Sequence, residues 1–437
     1  MTVNFLDDLL IKIDQKKAKV TVIGAGYVGL PLAILSSNAG FHTTILDNNS
    51  DRVTQLKAGI SEIETISDQQ LQNSLANKLR ISSEYYVIGD SDLIFMCLPT
   101  PLTRTSQPDL SYIIDAMDSI KQFMRAGQML ALESTTYPGT TEELLVNRVL
   151  EMKYTVGLDY FVVYSPERED PGNKDFTTYS IPKIISGHTE NCLCIAEAIY
   201  GRLISKVVSV SSTKTAEFTK LYENIYRAVN ISLANETKII ADKLGINIHE
   251  VVEAAGTKPF GFTKFYAGPG IGGHCIPIDP FYLSYKAREI GVESKFIDVM
   301  GEINKKMPDW VCQKVTTGLN KKQKSVYNSK ILILGMAYKK DVGDWRESPA
   351  LEIFSQLKGR GANIHYCDPL INRTKELDAT LGKYRVDYTT SDFSSYDAIV
   401  IATNHSIFDF VEIQKQSHLI IDTRNVFSAD YPNVVRA

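Results

Sequence analysis

The chain has 437 residues, 44% of them hydrophobic and 22% charged, with a formal net charge of −4. That length supplies two or three domains with enough apolar residues to close their cores. A nearly balanced charge gives no global basic field for nucleic acid or an acidic membrane. No apolar run of about 18 residues is present to span a bilayer. The first ten residues have an apolar–acidic amphipathic look but lack the basic region and cleavage site of a secretory signal. The expectation is a soluble, cytoplasmic protein that binds neither nucleic acid nor membrane.

In chain order, residues 19–24 read as a buried strand entering a glycine turn, 30–39 as an apolar helix, and the next strand closes on Asp47. The design recurs at 330–335, 349–357 and a strand ending at Asp368. Each is the strand–turn–helix–strand opening of a doubly wound α/β sheet. Short apolar runs at 93–98, 128–132, 160–164, 398–402 and 418–422 fit parallel strands buried on both faces. Residues 213–244 keep helical periodicity with no Gly or Pro, a helix about 48 Å long at about 1.5 Å per residue. A second helical segment follows at 247–255. The expected fold is therefore α/β, with two Rossmann-like domains (1–210 and 319–437) joined by a central helical domain (211–318). The long helix is its spine, with an outer face suited to a homodimer contact. The lysine-rich stretch 321–330 is the expected exposed connection into the last domain.

Gly24-Ala-Gly26-Tyr27-Val28-Gly29 follows the first strand and opens a helix, with Asp47 at the end of the next strand. This is the dinucleotide fingerprint: Gly24 for the tight turn, Gly26 for close approach of backbone to pyrophosphate, Gly29 for helix–strand packing. The diphosphate rests on the positive end of the helix. Asp47 accepts hydrogen bonds from the adenosine ribose and repels a 2′-phosphate, which favours NAD over NADP. Arg52 lies over the adenine edge or pairs locally. Thr100 and Thr135 stand in loops at the carboxyl ends of strands, where they hydrogen-bond the cofactor or cap helices.

Six cysteines are scattered along the chain. Cys192 and Cys194 have the wrong spacing for a zinc knuckle and no His pair stands near them, so no metal is expected. Five read as small core hydrophobes or bystanders. Cys275 differs, because it ends a run in which Gly268, Gly270, Gly272 and Gly273 precede it and Asp279 follows four residues on. Glycines so dense suggest backbone held in unusual conformations or pressed against a ligand. A thiol in such a loop, in a chain with a dinucleotide fingerprint, suggests a dehydrogenase that holds its substrate as a thioester between two oxidations.

Further motifs occur in order: Leu98-Pro-Thr-Pro101, Ser134-Thr-Thr-Tyr-Pro-Gly-Thr140, Ser165-Pro-Glu-Arg168, Lys220-Leu-x-x-Asn224, Gly272-Gly-His-Cys275 with Asp279, and Tyr338-Lys-Lys-Asp341 leading to Arg346-Glu-Ser348. With these the chain resembles the UDP-glucose/GDP-mannose dehydrogenase family over nearly its whole length. The longer forms at 165–172 and 272–280 are most similar to its UDP-N-acetylhexosamine branch. His274 and Ile278 stand where UDP-glucose enzymes usually have Ser and Lys, which weakens a glucose assignment.

The resemblance implies oxidation of a sugar C6 alcohol to the carboxylate with two NAD per sugar, UDP-N-acetylglucosamine being the expected substrate. Aldehyde capture on Cys275 gives a thiohemiacetal, and a second oxidation gives a thioester. Lys220 and Asn224, one helical turn apart, stabilise the oxyanion at C6 and hold a water. Glu167 is favoured for thioester hydrolysis and Asp279 for orienting Lys220 or a water. Around the nucleotide sugar the resemblance places Arg168, Gly272 and Lys339, the last at the UDP phosphates, while Arg346 reaches the cofactor. The run 258–266 offers Phe260 as stacking surface and Tyr266 for a phosphate, or else packs in the core. Tyr282 and Lys286 fit the Tyr-x-x-x-Lys pattern of epimerases and reductases, and read as coincidence beside the cysteine loop. UDP-N-acetylmannosamine or UDP-glucose as substrate, and an inactive nucleotide-sugar sensor, are the alternatives.

Overall fold

The computed structural model of the chain describes residues 4–63, 65–103, 107–168, 176–273, 276–372 and 375–437, so His274 and Cys275 lie outside the described residues. The chain divides into two compact units, Met1–Glu223 with Phe281–Val292, and Asn224–Pro280 with Glu293–Ala437.

The first unit is built on an eight-stranded sheet: β1 (Lys19–Ile23), β2 (His42–Leu46), β3 (Leu79–Ser82), β4 (Leu93–Met96), β5 (Gln128–Leu132), β6 (Tyr160–Tyr164), β7 (Lys183–Gly187) and β8 (Val207–Ser209). Their order is β3-β2-β1-β4-β5-β6-β7-β8. Every pairing is parallel except β6 with β7. Every residue of β4, β5 and β6 is buried, as their unbroken apolar runs require. The helix Gly29–Asn38 is buried on nearly all sides and shows no polar stripe, so it too reads as one apolar block. Strands β3 and β8 escape sequence reading because they are short and half-exposed.

The second unit holds β9 (Lys330–Leu334), β10 (Asn363–Cys367), β11 (Ala398–Ile401), β12 (Ile420–Asp422) and β13 (Val434–Arg436), ordered β10-β9-β11-β12-β13 and parallel throughout. Both sheets are Rossmann-like: each reverses strand order beside its first strand, which creates the crevice where ligands bind in such folds. The helix Pro349–Gly359 starts with Ser348 as its cap and Pro at its first turn.

The long helix runs Thr213–Leu244, 32 residues, as its periodicity implies. A second long helix, Lys295–Lys321, continues through Pro308. Its Gly301, Pro308 and Gly318 are breakers on local propensity. Burial of Met307, Trp310, Val311, Val315 and Leu319 along one stripe overrides them. Among the described residues no helix is long and apolar enough to cross a membrane.

Candidate active site

Three glycines of the turn after β1 do separate work. Gly24 has φ +96°, and a Cβ there would stand 2.3 Å from the Cys97 carbonyl oxygen. A Cβ on Gly29 would lie 1.8 Å from the Gly24 carbonyl oxygen. Both are fixed by contacts within the protein. Gly26 faces open space, with nothing within 4 Å of its missing Cβ, which leaves room for a pyrophosphate. The helix beginning at Gly29 has no side-chain cap from Val28, and its positive end faces the turn, although the Leu30 amide is taken by the Gly26 carbonyl at 3.1 Å. Tyr27 and Val28 pack half-buried against the core.

Asp47 is 6% exposed. It accepts the N–H of Ala25 at 2.8 Å and of Asn49 at 2.9 Å, which aims its carboxylate along the turn. Arg52 pairs locally, 3.4 Å from Asp47 and 3.4 Å from Glu62. These features fit the adenosine diphosphate half of NAD.

The loops after β4 and β5 are stitched together. The Thr100 hydroxyl donates to the Thr135 carbonyl at 2.7 Å, and Ser134 Oγ donates to the Leu98 carbonyl at 2.7 Å while accepting the Leu98 N–H at 3.1 Å. The helix-cap alternative for Thr100 is thereby corrected: its hydroxyl is committed across the loops. Tyr282 is fully buried and donates to the Thr100 carbonyl at 2.8 Å. Lys286 pairs with Glu143 and Glu289 at 2.8 and 2.9 Å. That tyrosine and lysine are engaged structurally, not as a catalytic pair.

Within the first unit the long helix brings Lys220, 4% exposed, to Glu167, 9% exposed, with Nζ 3.4 Å from Oε2. Arg168 takes Glu223 through two hydrogen bonds, 3.2 and 2.6 Å, and the Pro182 carbonyl at 2.6 Å. A recess of about 360 Å³, open to solvent, is lined by Val28, Leu32, Glu133, Glu167, Arg168 and Lys183 among others. It joins the cofactor helix to the buried carboxylate of Glu167.

Sequence reasoning passed over a charge cluster behind this recess. Glu133 is 1% exposed, and Lys183 Nζ lies 2.6 Å from its carboxylate and 3.3 Å from the Pro166 carbonyl. Tyr200 donates to the other Glu133 oxygen. Burial, then Glu133, pushes the Tyr200 phenol well up, and burial does the same to the Cys97 thiol. The only sequence signal was Glu133 at the end of an otherwise apolar strand.

Glu217 was also missed. It accepts from the Gly139 and Thr141 amides at 2.6 and 2.8 Å and from the Thr141 hydroxyl at 2.7 Å. Burial pushes its carboxyl up to about 7, against those donors.

In the second unit Asn224 donates to Asp279, which is 3% exposed and opens the helix Asp279–Glu289. Asp279 thus holds the amide of the Lys220–Asn224 motif, whereas the carboxylate beside Lys220 is Glu167. The glycine run is forced partly by the chain's own packing. Gly270 and Gly273 have φ +130° and +91°. A Cβ on Gly272 would stand 2.7 Å from the Glu347 carbonyl oxygen and 2.8 Å from Tyr338 Cβ. Gly272 and Gly273 are thereby pressed onto the 338–349 segment, which carries Lys339 and Arg346. Arg346 forks onto Asp344 at 3.0 and 2.9 Å.

Arg424, another residue not singled out from sequence, donates to the Ala402 carbonyl at 2.7 Å. Its Nη1 would be 2.8 Å from a Cβ on Gly268. The core-packing alternative for the aromatic run is corrected, since Phe260 is 71% exposed with Lys258 Nζ 5.0 Å over its ring. Tyr266 donates to Glu253 and stacks on His249, centroids 6.0 Å apart. Of the five cysteines read as bystanders, Cys97, Cys192, Cys312 and Cys367 are buried and Cys194 is exposed. Among the described residues no three His, Cys, Asp or Glu side chains gather as a metal site.

Three family models match the chain in succession, all of the UDP-glucose/GDP-mannose dehydrogenase family: the NAD binding domain over residues 18–204, the central domain over 214–306 and the UDP binding domain over 332–429. The chain is 33% identical over 425 residues to "Protein CapL" of Staphylococcus aureus, covering 95% of this chain and 97% of that protein. It is 32% identical over 426 residues to a UDP-N-acetyl-D-glucosamine 6-dehydrogenase of Salmonella typhi, covering 96% and 98%. Its structure is similar to that of a UDP-D-ManNAc dehydrogenase from Pyrococcus horikoshii, with TM-score 0.85 and 30% identity over 95% of this chain and 98% of the other.

Proposed function

The chain belongs to the UDP-glucose/GDP-mannose dehydrogenase family and is an NAD-dependent nucleotide-sugar dehydrogenase; within that family we propose that it oxidises the C6 alcohol of UDP-N-acetylglucosamine to the uronate, in the cytoplasm, as a homodimer formed through the long helix. The reading rests chiefly on one observation. In the first unit Lys220 is held by the buried carboxylate of Glu167, and in the second unit Asn224 is held by that of Asp279.

NAD, when bound, supplies the hydride acceptor, twice per sugar. The roles of this chain's residues follow from their chemistry. Glu167, beside the Lys220 ammonium, takes the C6 hydroxyl proton through a water as the first C6–H leaves as hydride, and releases it to solvent through the open recess. The Cys275 sulfur then forms a bond to the aldehyde carbon, and its proton passes to the carbonyl oxygen. Lys220 and Asn224 stabilise the negative charge that builds on that oxygen before the proton reaches it. Loss of the second C6–H as hydride, with the hydroxyl proton passing through Glu167 to solvent, leaves a thioester. Water, deprotonated by Glu167, attacks it, the C–S bond breaks and the thiolate departs. Lys339 serves the UDP phosphates, with Arg168, Gly272, Tyr266 and Phe260 among the substrate-binding residues. Thr100, Thr135 and Arg346 serve the cofactor.

A second reading takes UDP-N-acetylmannosamine as substrate, supported by the likeness in fold to the UDP-D-ManNAc dehydrogenase of Pyrococcus horikoshii. Initial rates on the two N-acetylhexosamine nucleotides, UDP-glucose and GDP-mannose decide between them, with mass analysis of the product. The expected stoichiometry is two NADH per sugar. Cys275→Ser is expected to bind NAD and UDP-sugar but not to complete the four-electron oxidation. Full turnover by that variant removes the covalent scheme, and absence of NADH formation on every nucleotide sugar leaves the sensor.

A further inference from the structure

At the carboxyl ends of β12 and β13 the second unit contains a recess of about 340 Å³, open to solvent, that none of the roles above uses. Its polar lining includes Lys238 from the long helix, Asp242 one turn on, His249, Asp422, Asn425 and Arg436. Lys238 is 6% exposed and, among the described residues, has no carboxylate within salt-bridge distance and no hydrogen-bond acceptor. The two side-chain acids beside it are otherwise engaged, and Ala437 also lines the recess. Asp242 is paired with Lys314, and Asp422 accepts the amides of Arg424 and Phe427 at 3.0 and 3.1 Å.

Arg436 forks its Nη1 onto Asp430 at 2.6 Å but leaves Nε buried without a partner. Asn425 Oδ1 is likewise buried without one. His249 supplies no charge, because burial, then Lys238 and Arg436, lowers its imidazole to about 4. A buried ammonium without a counter-ion and a buried guanidinium N–H without an acceptor are both costly. A single occupant would relieve them together if it offered two anionic oxygens and one O–H.

We propose that this recess is a binding site for a small tetrahedral oxyanion of the monohydrogen phosphate class, held by Lys238 Nζ and Arg436 Nε and donating its own O–H to Asn425 Oδ1. The alternative of a cation is disfavoured, since both carboxylates are already satisfied and the two orphaned donors would face it. The low position of Lys238, brought to about 8 by burial with Asp422 and Asp242 opposing and Arg424 and Lys314 adding to the fall, is consistent with a cation waiting for an anion.

The test is titration of inorganic phosphate into the full chain by calorimetry, in a chloride buffer, with UDP saturating the nucleotide-sugar site. The expected result is one phosphate per chain, with affinity weakened at least 10-fold in Lys238→Met and in Arg436→Leu while UDP affinity is unchanged. Phosphate should also raise the thermal midpoint of the parent chain and leave that of Lys238→Met in place. Arg436→Leu carries the test if Lys238→Met does not fold. Absence of saturable binding, or equal binding by the parent and the folded variants, overturns the proposal.

Discussion

Gly26→Ala isolates the cofactor contact from the fold. The missing Cβ meets nothing within 4 Å, and Gly26 is not among the glycines with positive φ. Alanine therefore enters without strain and restricts the unfolded chain, which stabilises by about 0.4–1 kcal/mol. With NAD bound, the same methyl stands where the pyrophosphate approaches the backbone. Forcing one extra carbon into a filled site costs about 1–3 kcal/mol, or roughly 5- to 150-fold in affinity. Thermal unfolding without ligand should thus show an equal or higher midpoint. Calorimetric titration with NAD should show the weakening, and UDP binding should be unchanged. Gly29→Ala is the contrast: its Cβ would lie 1.8 Å from the Gly24 carbonyl oxygen, so the folded yield itself should fall. Unchanged NAD affinity in Gly26→Ala would refute the placement of the diphosphate at this turn.

Asp47→Ala should shift the NAD/NADP preference toward NADP, because on the proposed placement of the cofactor it removes both the ribose acceptor and the charge that repels a 2′-phosphate; the ratio of the two kcat/KM values measures it. Lys183→Met should destabilise the first unit by about 3–5 kcal/mol, since Glu133 then stays buried without its cation; chemical denaturation reads the loss. Glu217 has a folded pKa of about 7, above the ordinary 4.5. The folded state therefore binds the extra proton, and the carboxyl's contribution is full below about pH 4.5 and lost as pH rises through 7. The difference in stability between the parent chain and Glu217→Gln should fall by about 3 kcal/mol between pH 4.5 and 8, and a flat difference would contradict it.

The parts of the fold legible in the sequence are those where local pattern and tertiary burial agree. β5 and β6 match the expected runs residue for residue, because a strand covered on both faces tolerates only apolar side chains. The 32-residue helix is equally plain, having no breaker inside it. The helix Lys295–Lys321 was not legible, because Pro308 and two glycines argue locally against a helix that only its packing sustains. For Glu167, Lys220, Asn224 and Asp279 the motifs of the family resemblance carried the expectation, and the pairing did not follow from spacing. Residues 53 positions apart, Glu167 and Lys220, are joined by the turn after β6, which no periodicity encodes. Lys183 and Tyr200 were invisible for the same reason, since a lysine on a strand and a tyrosine in a helix become a charge cluster only when both reach Glu133.

The glycine run before Cys275 shows how the two kinds of information combine. Its density alone admitted two causes, unusual backbone or a ligand pressed close. Positive φ at Gly270 and Gly273 accounts for two of the four. The approach of Glu347 and Tyr338 accounts for Gly272, and Arg424 stands where a side chain on Gly268 would go. Gly270, Gly272 and Gly273 thus have reasons within the chain, whereas Gly268 meets only the mobile end of the Arg424 side chain. On the proposed mechanism, glycines that shape residues 268–273 within the chain bear on the second hydride transfer. Gly272→Ala, whose Cβ would strike backbone at 2.7 Å, should therefore depress kcat far more than a substitution at the exposed Phe260. Pre-steady-state measurement of the first hydride transfer separates the cases, since a displaced sulfur should slow the second transfer and leave the first nearly intact.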